Sequence, residues 1–166
     1  MLVYRKAFEG LQKPEMGSEE IRIWRPRLSS WLPSGKGKKY AAYSAFHWLG
    51  AFGNADYCSI TLMEADAASS MLCVPPYFRW PFMAANDIQF AYVLTSPEAR
   101  GRGLASRLLA HGIELLGEPG RSFWYVTSMD NVASQALATR CGFKFFGYGL
   151  RQGRFIRRLV ITDVAD

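Results

Sequence analysis

The chain has 166 residues, 49% of them hydrophobic, and a formal net charge of +6. A chain of this size can bury on the order of 70% of its unfolded surface, so one compact domain over residues 1–166 needs neither a disulfide nor a metal to fold. Cys58, Cys73 and Cys141 are odd in number and lack metal-ligand spacing, no leader pattern precedes them, and no apolar run approaches the ~20 residues of a membrane span. Reduced thiols in a cytoplasmic protein, with no metal and no membrane partner, are the expectation.

In chain order, the pattern predicts a short strand near Leu2–Phe8 or Ile21–Trp24, then a helical region over about Lys39–Leu49. Strands follow at about Tyr57–Glu64 and Ser70–Val74. After Pro75 and Pro76 the chain is irregular and aromatic through Phe82, and it leads into a strand over Asp87–Thr95. Ser96-Pro97 marks the turn out of that strand. A helix over about Gly103–Leu116 is well signalled, because Leu104, Leu108, Leu109, Ile113 and Leu116 recur at helical spacing. A strand Phe123–Thr127, a helix Val132–Cys141, and closing strands near Phe145–Leu150 and Phe155–Ile161 complete the order. Such alternation predicts an α/β (α+β) architecture, a mixed sheet with helices packed on both faces.

The basic residues are dispersed. Lys36, Lys38 and Lys39 fall in a glycine-containing loop, Arg100, Arg102 and Arg107 around one turn, and Arg151, Arg154, Arg157 and Arg158 near the end. With no sheet-face aromatic motif beside them, this distribution argues against nucleic acid as a partner, although a basic nucleic-acid-binding domain stays a competing class.

The most informative segment is Arg100-Gly101-Arg102-Gly103-Leu104-Ala105, at a strand-to-helix junction. The first N–H groups of a helix have no intrahelical partner and carry the positive end of its dipole, so an anion satisfies both. Gly101 and Gly103 allow close backbone approach, and Arg100 and Arg102 add charge. A dinucleotide site is the nearest mimic, with Asp130 after the next strand as a ribose-binding acid. Ser106 stands where its third glycine belongs, and the chain has too few strand and helix units for that fold.

Arg100, Gly103 and Ala105 match the main signature of the GCN5-related N-acetyltransferases (GNAT), and Asn131, Ser134, Leu137, Gly142 and Phe143 match a second block at the family's spacing. The chain resembles this family over roughly Asp87–Phe146. The resemblance implies a mostly antiparallel sheet with one splayed parallel pair, Asp87–Thr95 beside Phe123–Thr127. It also implies acetyl-CoA as co-substrate, held by Val93, Thr95, Arg100, Gly101, Arg102, Gly103, Leu104, Ala105, Asn131 and Ser134. An N–H near Ala91 would face the thioester carbonyl. Asp87, thirteen positions before Arg100, stands where the histone-modifying branch has its catalytic glutamate, although an unbent strand puts it ~13 Å from Ala91. Ala138 occupies the place of the family's usual tyrosine acid, which leaves Tyr125 or Tyr148 as substitutes.

The partner implied is a small-molecule amine. The run Tyr77-Phe78-Arg79-Trp80-Pro81-Phe82 resembles members tied to bacterial surface polysaccharide synthesis, so an amino sugar is the leading expectation. A homodimer is open, since family members are often dimers. So is a degenerate member that binds acyl-CoA without catalysis.

Overall fold

The structure, a computed structural model, describes residues 1–10, 19–32, 40–153 and 158–164. The expectations for Lys36, Lys38, Lys39, Arg154 and Arg157, and the strand start at Phe155, lie outside the described residues. Strands β1 (Leu2–Ala7), β2 (Glu20–Trp24), β3 (Cys58–Glu64), β4 (Ala67–Val74), β5 (Ile88–Thr95), β6 (Ser122–Thr127), β7 (Lys144–Gln152) and β8 (Arg158–Val164) join in the order β2-β3-β4-β5-β6-β1-β7-β8. Helices α1 (Ala41–Trp48), α2 (Leu104–Leu116) and α3 (Val132–Arg140), with a single 3-10 turn at Pro97–Ala99, complete the described elements. β5 and β6 run parallel, and the other neighbours are antiparallel. A dinucleotide fold would need a parallel sheet, so that mimic is excluded.

Both early strands form, but far apart: β1 lies between β6 and β7, while β2 is an edge. β4 starts at Ala67, three residues earlier than the pattern predicts. Ala67, Ala68 and Ser69 are weak strand formers, but the two-residue turn Ala65-Asp66, with Ala65 left-handed at φ 51°, sets Glu64 opposite Ala67 and pairs them.

Period-two alternation divides the core. Tyr4, Met71, Cys73, Ile88, Phe90, Phe123 and Tyr125 face α2 and α3, whereas Val3, Leu72, Val74, Trp124 and Leu159 face α1 and the aromatic segment around Tyr77 and Trp80. Helices therefore cover both faces. On the first face Leu104, Leu108 and Leu109 are fully buried, each contributing about 1.5–3 kcal/mol by leaving water. α2 approaches the sheet closely at Gly112, where a Cβ would overlap Met71 and lie 3.1 Å from the Phe90 ring.

Candidate active site

β5 and β6 pair only from Ile88↔Phe123 to Phe90↔Tyr125. On the other side of β5, Ala91 pairs with Leu72 and Leu94 with Ser70, so β5 uses three steps where β4 uses two. This is a β-bulge, and Tyr92 takes the extra residue's strain at φ 50°. The bulge flips the alternation: Ile88, Phe90 and Val93 all face the α2 core, while Ala91 faces the other side. The Tyr92 ring packs 5.6 Å from Tyr40 and 5.9 Å from Tyr43. Beyond Phe90 the β6-facing edge of β5 has lost its strand partner, which leaves main-chain donors and acceptors to be satisfied by something else.

A cavity of about 530 Å³ fills the gap. Val93, Thr95, Arg100, Gly101, Gly103, Leu104 and Ala105 line one wall, and Tyr125, Asn131, Ser134, Leu137 and Arg140 the other. Gly101 and Gly103 are left-handed, at φ 75° and 77°, a conformation that costs a side-chain-bearing residue about 1–2 kcal/mol. The first helical bond runs from the Arg107 N–H to the Gly103 carbonyl, so the amides of Leu104, Ala105 and Ser106 lack intrahelical acceptors. Arg100 and Arg140 have no carboxylate partner among the described residues. Together these groups form a cationic, donor-rich end to an otherwise apolar cleft.

Not every expected residue is there. Arg102 turns away and pairs with Glu64 at 2.5 Å, and Arg107 pairs with Glu19 and Glu64, so the charge of Arg102 belongs to that network rather than to the cleft. Ala91 does not line the cavity, because the bulge hands that position to its neighbours.

On the α3 side, the Asn131 side chain caps the helix by accepting the Ser134 N–H at 3.0 Å. The Ser134 hydroxyl lies 2.7 Å from the Tyr125 hydroxyl. Burial is the main influence on Tyr125 and raises its pKa; the Ser134 bond pulls it back in part, and nearby Cys141 adds to the rise. The phenol thus keeps its proton at neutral pH, as a donor must. Ala138 is buried in the core and supplies no chemistry, and Tyr148 packs edge-on against Phe145.

Asp87 departs most from its expected role. Its carboxylate is 3% exposed and accepts from the Ala84 N–H at 2.9 Å, the Ser122 N–H at 2.9 Å and the Trp124 indole N–H at 2.7 Å. Asn54 pins the same corner by donating to the carbonyls of Ala85 and Asp87. A carboxylate enclosed and saturated in this way has the placement of a structural clasp, at the end of β5 away from the cleft. His111 is buried in α2, and His47 packs on Tyr57, so neither enters the cleft.

Arg140 and the bulge at Tyr92 escaped the sequence reading. Arg140 had a signal, since Ala133, Leu137 and Arg140 recur at helical spacing on one face of α3. The bulge had none, because Ile88–Thr95 is apolar at nearly every position and tolerates either register.

The family model for the acetyltransferase (GNAT) family matches residues 21–143. Among solved structures, the chain is similar to a putative GNAT-family acetyltransferase from Novosphingobium aromaticivorans, with a TM-score of 0.51 and 18% identity over 87% of this chain and 59% of that one. It is also similar to a Drosophila protein, with a TM-score of 0.54 and 18% identity over 87% and 46% of the two chains. AAC(6')-Iy, solved with the bisubstrate analogue CoA-S-monomethyl-acetylneamine, gives a TM-score of 0.50 and 16% identity over 77% and 92%. At such identities the likeness shows the fold alone, and the chain spans about half the length of the first two structures. No curated protein matches the sequence. The family match spans most of the chain, across the bulged strand, the glycine turn and the capped helix, and on that ground the chain belongs to the acetyltransferase (GNAT) family.

Proposed function

We propose that residues 1–166 act as one acyltransferase unit that moves an acetyl group from acetyl-CoA to a primary amine. The observation that carries this reading is the cleft between β5 and β6, which ends at the left-handed glycine turn. The residues present fit the co-substrate. The amides of Leu104, Ala105 and Ser106 with Arg100 and Arg140 suit a diphosphate, and the unpaired edge at Val93 and Thr95 suits an extended amide-bearing arm. When bound, acetyl-CoA supplies an activated acetyl thioester.

The chain's own residues then divide the work. A backbone N–H at the bulge, from Tyr92 or Val93 rather than from Ala91, stabilises the charge that develops on the carbonyl oxygen, an effect typically worth ~3 kcal/mol. Tyr125, oriented by Ser134, donates its proton to the leaving sulfur. Among the described residues no carboxylate or histidine lines the cleft, so the attacking amine loses its proton to water. Direct attack requires no covalent enzyme intermediate. An amino sugar fits the aromatic wall of Tyr43, Tyr77, Trp80 and Tyr92, since aromatic faces suit sugar rings.

The burial of Ala138 and the saturation of Asp87 favour a second reading, an acyl-CoA binder without turnover. Thermal unfolding with and without acetyl-CoA tests the first step. A ligand at 100 times its Kd stabilises by ~2.7 kcal/mol, which for this size raises Tm by about 5–10 °C. No rise at millimolar acetyl-CoA overturns both readings. A rise with CoA released on adding an amine supports the enzyme, and a rise with no release from any amine supports the binder.

A further inference from the structure

A second cavity of about 360 Å³ lies on the α1 side of β5, lined by Tyr43, Tyr77, Arg79, Trp80, Tyr92 and Arg151 among others. It lies across Tyr92 from the space next to the glycine-turn cleft. Tyr92 also lines a space of about 260 Å³ whose other walls include Val93, Tyr125, Asn131 and Ser134, all of which face the cleft as well. Tyr92 at the bulge is therefore the wall that the two spaces share.

Its charge is one-sided. Arg79 and Arg151 come from separate segments, yet one residue holds both in place: the Leu159 N–H donates to the Arg79 carbonyl at 2.9 Å, and Leu159 pairs with Arg151 across β7 and β8. The Arg79 guanidinium is further positioned 5.9 Å from the rings of both Phe46 and Phe78. Arg22, Arg102, Arg107 and Arg121 all have carboxylate partners, but neither Arg79 nor Arg151 has one among the described residues. Among the described residues no acidic side chain lines the cavity. The Tyr77 and Trp80 side chains, 6% and 8% exposed, add a polar hydroxyl and an indole N–H to the same wall. Two like charges held at one cavity repel each other, and a bound anion reverses that cost while accepting from two planar, multi-donor guanidinium groups.

We propose that this cavity binds an anionic group, a phosphate or a carboxylate, carried by the acceptor amine. The inference rests on the acetyltransferase reading and deepens it. The substrate is an amine that also bears an anion, as in a phosphorylated or nucleotide-linked amino sugar or an amino acid. Polyamines and polycationic antibiotic amines are disfavoured, because their second charge would meet Arg79 and Arg151.

Matched pairs of amines test it on the full chain with its cleft saturated by CoA. Glucosamine 6-phosphate against glucosamine, and phenylalanine against phenethylamine, differ chiefly in the anion, and the pair that responds identifies which anion is read. The anion-bearing member of at least one pair is expected to raise Tm by ~2 °C or more beyond CoA alone, and its partner without the anion is not. In the double variant Arg79→Ala, Arg151→Ala that increment disappears while the rise caused by CoA itself remains, a split that a merely structural role would not produce. Equal shifts within each pair, an anion-dependent shift that survives in the double variant, or no shift from either anion overturns the proposal. Failure of CoA alone to raise Tm is a separate result and bears on the acetyltransferase reading.

Discussion

At Gln89 and Phe90, β5 is paired on both sides and its approach is clasped by Asp87; at Val93–Thr95 it has left β6 and faces a cavity. Only the bulge at Tyr92 separates these regimes. At the closed end, polar groups find partners inside the protein: the Asp87 carboxylate takes three donors, and Asn54 takes two carbonyls. At the open end, the amides of the glycine turn and the β6-facing edge of β5 find no partners among the described residues and face the cavity. Polar satisfaction therefore distinguishes a stabilising carboxylate from a ligand-binding surface within one strand, which position in the chain does not.

Substitutions at the two ends should separate stability from ligand response. The largest effect is expected at the closed end. Asp87→Ala orphans two buried donors and one part-buried donor and should cost ~3 kcal/mol or more, lowering Tm by roughly 6–12 °C. Thermal unfolding measures this, and acetyl-CoA should still raise the Tm of the variant; a loss of turnover without a loss of stability would instead restore Asp87 as a base. At the open end, Gly103→Val places a branched side chain at φ 77° beside the turn amides. It should remove the ~2.7 kcal/mol of stabilisation that acetyl-CoA gives at 100 times its Kd and lower intrinsic stability by a smaller ~1–2 kcal/mol.

Between the ends lies Tyr125, paired to β5 at Phe90 and bonded to Ser134 in the cleft. Tyr125→Phe should lower kcat by ~100-fold while the acetyl-CoA-induced rise in Tm is retained. An unchanged kcat would remove its role as acid. The smallest effect lies off β5, at His47 on α1, where burial lowers the imidazole pKa. The unfolded chain accepts a proton near pH 6.5 more readily than the folded one. Stability is therefore full above that pH and declines as pH falls through the folded value. Tm measured from pH 7.5 to 5 should fall slightly less in His47→Gln than in the parent.

What was legible in the sequence was local. The spacing of Leu104, Leu108 and Leu109 defined α2, and Gly101 and Gly103 marked a turn that only glycine makes cheaply. Asn131 with Ser134 marked a capped helix start. Each depends on residues a few positions apart, within reach of one another through the backbone. The assignments that changed depend on distant residues. Asp87 became a clasp because Ser122 and Trp124, 35 and 37 positions away, deliver N–H groups to it, and Arg102 left the cleft because Glu64, 38 positions away, neutralises it.

The pairing of Arg79 with Arg151 was equally invisible, since it exists only where the segment after β4 meets β8. The chain by itself thus determined the elements, their order and the left-handed glycine turn, because propensity, periodicity and φ preference act between near neighbours. Tertiary structure alone decided which charges are consumed internally and which are left for a ligand. Burial and the satisfaction of polar groups are properties of the surroundings that distant segments assemble.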